Sequence, residues 1–254
     1  MDAHRIIFLK VPIDIVPLEE LPDIVSRLLT AADNADKDSS SKGQNIVLLS
    51  LWDLLRARRN GAYRDYIFSA ALVLPISKSI VSGVKFLTGK KVYRYMPFHF
   101  VISLLSILEK KENSVYLLGG KTRVLKKTER NINTTFPRLK VVGRHEGRMR
   151  KREAPAVIEA IRKAAPSLLL AGRGIRGKEL WIPRNSSRIN TGLRLWCSDL
   201  FDVFADKKRR PSDEVFEKGL EGFGFFLKNP LRIFRLLPYF RYKILLLFYK
   251  LFVK

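Results

Sequence analysis

Residues 115–147, VYLLGGKTRVLKKTERNINTTFPRLKVVGRHEG, decide the fold. The apolar run VYLL stops at Gly119-Gly120, and residues 122–135 then repeat apolar positions at helical spacing. Pro137 stands where that helix should end, and LKVVG (139–143) is a second apolar run. Strand, glycine turn, helix and strand in this order build a parallel sheet, because parallel neighbours need a crossover long enough to hold a helix. The order recurs in both directions. IVLLSL (46–51), ALVLP (71–75), SVYLLGG (114–120), SLLLAG (167–172) and LRLWC (193–197) are continuous apolar runs, as strands buried on both faces must be. Residues 54–69, 98–111 and 154–165 carry helical spacing, with Pro166 closing the last. The expected class is α/β, a mostly parallel sheet with helices on both faces.

With 254 residues, 46% of them hydrophobic, the chain can bury one sizeable core. The N-terminal stretch MDAHRIIFLKVPIDIV reads as a first strand, since Lys10 and Pro12 interrupt its apolar run too early for a secretory signal. Residues 34–44, NADKDSSSKGQ, read as a polar surface loop. A single cysteine, Cys197, excludes an internal disulfide, and nothing near it has metal-ligand spacing. No window reaches the roughly 18–20 uninterrupted apolar residues of a membrane-spanning helix. A cytosolic compartment fits these features.

A formal charge of +24 implies an anionic partner: nucleic acid, an anionic lipid surface or a phosphorylated substrate. Its distribution separates them. Residues 223–254 hold Lys228, Arg232, Arg235, Arg241, Lys243, Lys250 and Lys254 with no acidic residue, among many Phe, Leu, Ile and Tyr. Nucleic-acid arms are rarely so apolar, and no nucleic-acid-binding module is recognisable, so that reading rests on charge alone. Lys243, Lys250 and Lys254 fall on one helical stripe, which suits a helix lying at a membrane interface. The competing reading is that the apolar residues of this helix pack on the main domain. The expected division is an α/β domain over 1–200 and a membrane-associating appendage over 201–254.

Gly119-Gly120-Lys121 follows a strand and precedes a helix, the place in a parallel sheet where phosphate groups meet a helix N-terminus. A glycine pair there also serves as a simple packing requirement. Three longer segments sharpen the reading: NIVLLSLWDLLRARRNGAYRDYIFSAALVLP (45–75), LLLAGRGIRGKELWIPRN (168–185) and LFDVFADKKRRPSDEVFEKGLEGFGFFLKNPLRIFR (200–235). Together with 115–147 they resemble, in order and spacing over about 11–235, the WecG/TagA/CpsF family of glycosyltransferases. The resemblance implies a Rossmann-like sheet with a membrane-associating C-terminal appendage. It also implies transfer of a sugar from a nucleotide donor, UDP-linked, to a polyprenyl-diphosphate-linked acceptor in cell-envelope or exopolysaccharide assembly. Such a protein works peripherally on the inner face of the bacterial cytoplasmic membrane, with no cofactor or metal. A second copy of the chain or a partner glycosyltransferase is a further expected partner.

Residue by residue, the resemblance keeps the cationic half of the site and alters the rest. Arg94, Arg232 and Arg235 fall on family arginines and are expected to hold diphosphate, with Arg210, Gly174, Glu179 and Asp202 also matching and Gly119 and Gly120 at the turn. Lys178 and Arg176 replace the family's Gln and Pro, and Leu48 and Ser50 its Thr and Asn. The family's proposed general base, an Asp after the second strand, falls at Ile76, which cannot take a proton. Inverting sugar transfer needs such a base beside the acceptor hydroxyl and positive groups beside the departing diphosphate. His99, Asp199, Glu146 and Asp53 are the candidates to replace it, unranked, with His145 equally open. A relocated base makes the chain an inverting hexosyltransferase; without one it is an impaired member that binds lipid or a partner enzyme.

Overall fold

The computed structural model of the chain describes residues 4–33, 43–219 and 237–252. Its N-terminus is not a strand of the main sheet but an antiparallel hairpin, β1 (His4–Phe8) and β2 (Val11–Ile15). The two turn residues, Leu9 and Lys10, take φ of 49° and 66°, which gives the tight turn the twist that hairpins favour. An ion pair between the buried Asp14 and the more exposed Arg5 docks the hairpin. Asp14 accepts from Arg5 Nε and Nη2, each at 2.8 Å, and from the backbone N–H of Val73 at 2.7 Å. The Asp14 hydrogen bond holds the Arg5 guanidinium above its ordinary pKa. Val73 lies on a strand at the edge of the main sheet, so this contact also satisfies an amide that the ladder leaves open.

The main sheet has six parallel strands in the order β4-β3-β8-β7-β5-β6. They are β3 (Gln44–Leu49), β4 (Leu72–Pro75), β5 (Ser114–Leu118), β6 (Lys140–His145), β7 (Leu168–Ala171) and β8 (Leu193–Trp196), one for each apolar run in the sequence. Alternate residues feed two cores. Ile46, Leu72, Leu117 and Leu170 face α1 (Leu21–Asp33), α5 (Pro97–Lys110), α6 (Thr122–Thr135) and α9 (Leu200–Phe204). Val47, Val73, Leu118 and Leu169 face the hairpin, α2 (Leu51–Ala57), α3 (Gly61–Phe68), α4 (Lys78–Thr88) and α7 (Ala154–Ala164). Helical spacing over 54–69 becomes two helices rather than one. Asn60 caps the second by accepting from Tyr63 N–H at 2.9 Å, and an N-cap side chain takes the backbone out of the helix.

Strand direction places every carboxyl end on one edge. The chain leaves β3 for α2 and α3 on one face and leaves β8 for α9 on the other. Adjacent strands with exits on opposite faces open a crevice between them, where α/β proteins bind ligands.

Residues 220–236 and 253–254, and 34–42 upstream, lie outside the described residues; with them lie Arg232, Arg235, Lys254 and most of the polar loop. The described C-terminal elements are α10 (Asp213–Lys218) and α11 (Leu237–Phe252), after the short α8 (Trp181–Asn185) in the β7–β8 connection. One stripe of α11 packs on the domain. Tyr242 lies over Gly83 so closely that a Cβ there would sit 2.0 Å from its hydroxyl, which donates to Ser79 O at 2.6 Å. Arg58 Nη1 donates to Leu9 O at 2.8 Å and to the Tyr249 hydroxyl at 3.2 Å, joining α2, the hairpin and α11. The opposite stripe, Phe240, Ile244, Leu247, Phe248 and Leu251, is more than half exposed at every position. No helix among the described residues is long and apolar enough to cross a membrane. The 16 residues of α11 reach about 24 Å, short of a hydrocarbon core of about 30 Å.

Asp14→Ala leaves Arg5 without its carboxylate and Val73 N–H without an acceptor, and should cost about 2–3 kcal/mol of stability. Urea unfolding measures this, with a lower midpoint and an unchanged slope expected. Gly83→Leu should displace Tyr242, raising amide exchange across 237–252 by about tenfold or more while β5 and β7 keep wild-type protection.

Candidate active site

At the carboxyl edge the loops after β5, β6, β7 and β8 are bonded backbone to backbone. Gly119 N–H donates to His145 O (3.0 Å), Gly120 N–H to Arg173 O (2.6 Å) and Gly147 N–H to Gly120 O (3.1 Å). Gly172 N–H donates to Leu118 O and Arg173 N–H to Ser198 O, both at 2.7 Å. The turn therefore does not present free glycine amides to a phosphate, contrary to the sequence expectation, because the neighbouring loops use them. Glycine is required by proximity: Gly119 has φ +131°, and a Cβ there would lie 2.8 Å from the Gly172 backbone.

Two cavities flank this junction and share Arg173, Gly174, Ser198 and Asp199. The first, of about 680 Å³, lies at the β3–β8 crevice, lined by Ser50, Asp53, Arg56, Tyr63, Tyr66, Ile76, Lys178 and Glu179 among others. The second, of about 620 Å³, lies over the α6 N-terminus and takes in Gly120, Lys121, Arg123, Glu146, Arg148, Asp202 and Lys207.

Charges in the two cavities differ in partnership. Glu179, buried, is ion-paired with Arg56, whose guanidinium lies 4.1 Å over the Tyr63 ring. Asp199 pairs with Lys208, and Asp202 with Arg173 and with Lys207 at 3.5 Å. Asp53 has no cationic partner among the described residues. Its Oδ2 accepts from Ser50 N–H (3.0 Å) and Ser50 Oγ–H (2.5 Å), and its Oδ1 from the Tyr63 hydroxyl (2.9 Å). Burial, then the charge of Asp53, pushes the Tyr63 hydroxyl well above the ordinary tyrosine pKa, so it stays a donor. The Tyr66 hydroxyl is buried on the same wall with no hydrogen-bond partner among the described residues. Burial pushes the Cys197 thiol up, leaving it neutral rather than nucleophilic. Lys121, Arg123 and Arg148, exposed around the second cavity, carry no ion pair among the described residues.

Of the residues singled out by sequence, Gly174, Lys178 and Glu179 meet in the first cavity, and Gly120, Gly174 and Asp202 in the second. Arg94 lines neither. Its Nε donates to Ile76 O at 2.8 Å, its Nη1 donates to Phe216 O, and it stacks 3.7 Å over the Phe216 ring, so it grips α10 against the loop after β4. His99 and Arg210 meet each other outside both cavities: Arg210 Nη1 donates to His99 Nε2 at 2.5 Å, and Asp213 lies 3.5 Å away. Ile76 lines the first cavity, where the resemblance puts the family's base. Arg56, Tyr63, Tyr66 and Arg173 were not singled out by sequence, since they meet only through tertiary packing. The Ser50-x-x-Asp53 spacing of a capping box was the one local signal pointing there.

The family model described as Glycosyl transferase WecG/TagA/CpsF family matches residues 6–254. Among curated proteins the chain is similar to the N-acetylglucosaminyldiphosphoundecaprenol N-acetyl-beta-D-mannosaminyltransferase of Bacillus subtilis (strain 168). The two are 24% identical over 185 residues, which span 73% of this chain and 72% of the relative. A match running from the N-terminal hairpin through α11, over a parallel sheet whose carboxyl edge opens into a charged cleft, is decisive: the chain belongs to the WecG/TagA/CpsF family of glycosyl transferases.

Proposed function

We propose that the chain transfers a sugar from a UDP donor to a polyprenyl-diphosphate-linked acceptor in cell-envelope polysaccharide assembly, working at the inner membrane surface. The observation that carries this reading is the double cleft: two adjoining cavities of a size for a nucleotide sugar and an acceptor sugar, meeting at Arg173 and Gly174. The name of the Bacillus subtilis relative, which joins a hexosamine to a diphosphoundecaprenol-linked sugar, supports the substrate classes.

In this reading the donor diphosphate lies in the second cavity, near the α6 N-terminus and the exposed Lys121, Arg123 and Arg148. Lys178 and Arg173 face the transferred sugar and balance charge building on the leaving diphosphate. Arg232 and Arg235, between α10 and α11 in the chain, are carried as further diphosphate binders. Arg94 seats α10 through Phe216. The exposed stripe of α11 enters the membrane interface, with Lys243 and basic neighbours on anionic headgroups. UDP-sugar enters as a substrate, and the chain's own side chains supply both the positive charge and the base.

A second reading, an impaired member that binds lipid or a partner enzyme, is favoured by one observation: Ile76 occupies the cavity wall where the family base falls. Calorimetry with UDP and UDP-sugars, with and without anionic vesicles, separates the two. The transferase reading expects micromolar UDP binding, weakened about tenfold by Arg173→Ala or Lys178→Ala, the worth of one charge-assisted contact. Absence of binding under both conditions would leave the scaffold reading. Ile244→Glu with Leu251→Glu should cut sedimentation with anionic vesicles by about tenfold without changing UDP affinity.

A further inference from the structure

We propose that Asp53 is the general base of this transferase, moved from the exit of β4 to the exit of β3; the assignment rests on the transferase reading above. The loop after β4 is bonded to the loop after β3: Ile76 N–H donates to Leu49 O and Leu51 N–H to Ser77 Oγ, both at 3.0 Å. Asp53 and Ile76 therefore line the same cavity from two bonded loops.

The other candidates are already engaged or elsewhere. Glu179 is neutralised by Arg56, and Asp199 by Lys208. Glu146 faces the second cavity, where it accepts from Thr122 Oγ1 at 2.8 Å. His99 lies outside both cavities as an acceptor for Arg210, and His145 lines neither.

Asp53 has a helix-capping task, but that task occupies Oδ2 alone. A carboxylate has about four lone-pair sites. Two on Oδ2 go to Ser50 and one on Oδ1 to Tyr63, which leaves one Oδ1 site for a substrate hydroxyl. Tyr63 is a positioning residue: it fixes Oδ1, and it is itself fixed by Arg56 stacked on its ring. The buried Tyr66 hydroxyl on the same wall, without a partner among the described residues, is a ready donor or acceptor for the bound sugar.

In the transfer step the acceptor hydroxyl oxygen bonds to the anomeric carbon of the donor while its proton passes to Asp53 Oδ1. The bond from that carbon to the diphosphate oxygen breaks, and its electron pair leaves on the nucleoside diphosphate beside Arg173 and Lys178. Asp53 returns the proton to solvent after product departs.

The test uses the full chain with a panel of UDP-N-acetylhexosamines and a short-chain polyprenyl-diphosphate-linked N-acetylglucosamine. Asp53→Asn should lower kcat by about a hundredfold or more and leave UDP affinity by calorimetry within twofold of wild type. That retained affinity shows a folded site. Ile76→Asp added to Asp53→Asn should recover at least tenfold of the lost rate, because it restores a carboxylate on the facing loop. Tyr63→Phe should lower kcat several-fold at constant UDP affinity. Turnover by Asp53→Asn at more than half the wild-type rate would overturn the base assignment and leave the transferase reading standing. A wild-type chain that neither binds UDP nor turns over any of the panel would overturn both.

Discussion

The exits of four neighbouring strands are held together by backbone hydrogen bonds, made mostly by glycines. Gly119, Gly120, Gly147 and Gly172 bring the loops after β5, β6 and β7 within hydrogen-bonding distance, and Arg173 extends the lattice to the loop after β8. The two cavities lie on either side of that junction and share Arg173, Gly174, Ser198 and Asp199. The paired charges are laid over the same junction. Arg173 with Asp202 ties the β7 exit to α9, and Arg56 with Glu179 ties α2 to the segment after β7. The active-site shape therefore follows from main-chain proximity, and the polar residues decorate it.

That division explains what the sequence could disclose. The sheet strands were legible as short runs rich in Val, Ile and Leu; the central β5 and β7 are buried almost throughout, whereas the edge strand β6 alternates exposed and half-buried residues. The hairpin was not, because its turn depends on Leu9 and Lys10 accepting left-handed backbone, a choice that neither residue type advertises. The break after α2 was readable only from Asn60 as a cap. Within the site, Gly174, Lys178, Glu179 and Asp202 were found by motif and do line the cavities. Arg94 was found by the same route, yet its described contacts are with Ile76 and Phe216, a relation between distant segments that spacing cannot encode. Tyr63 and Arg56 belong to different turns of different helices, and their meeting with Glu179 is likewise a product of packing.

Loss of the family's carboxylate at Ile76 and the presence of Asp53 one loop away are two views of one requirement. A displacement at an anomeric carbon needs a proton acceptor on the acceptor side and positive charge on the leaving side, but the scaffold fixes neither to a particular strand. Because the loops after β3 and β4 are hydrogen-bonded neighbours, a carboxylate on either can face the same volume. Arg173 and Lys178 line the same cavity as Ile76 and Asp53, so positive charge and a carboxylate are both present on its wall.

Hydrogen exchange of the full chain with and without UDP reports which loops close on the nucleotide. If the glycine-bonded junction organises the site, exchange slows in the loops at 119–124, 172–179 and 198–202, together with 146–148 and the segment carrying Arg232 and Arg235, while the hairpin and α11 stay unchanged. Protection missing from those three loops, or found instead along α11 and α2, would place the nucleotide elsewhere and refute a site built on that junction.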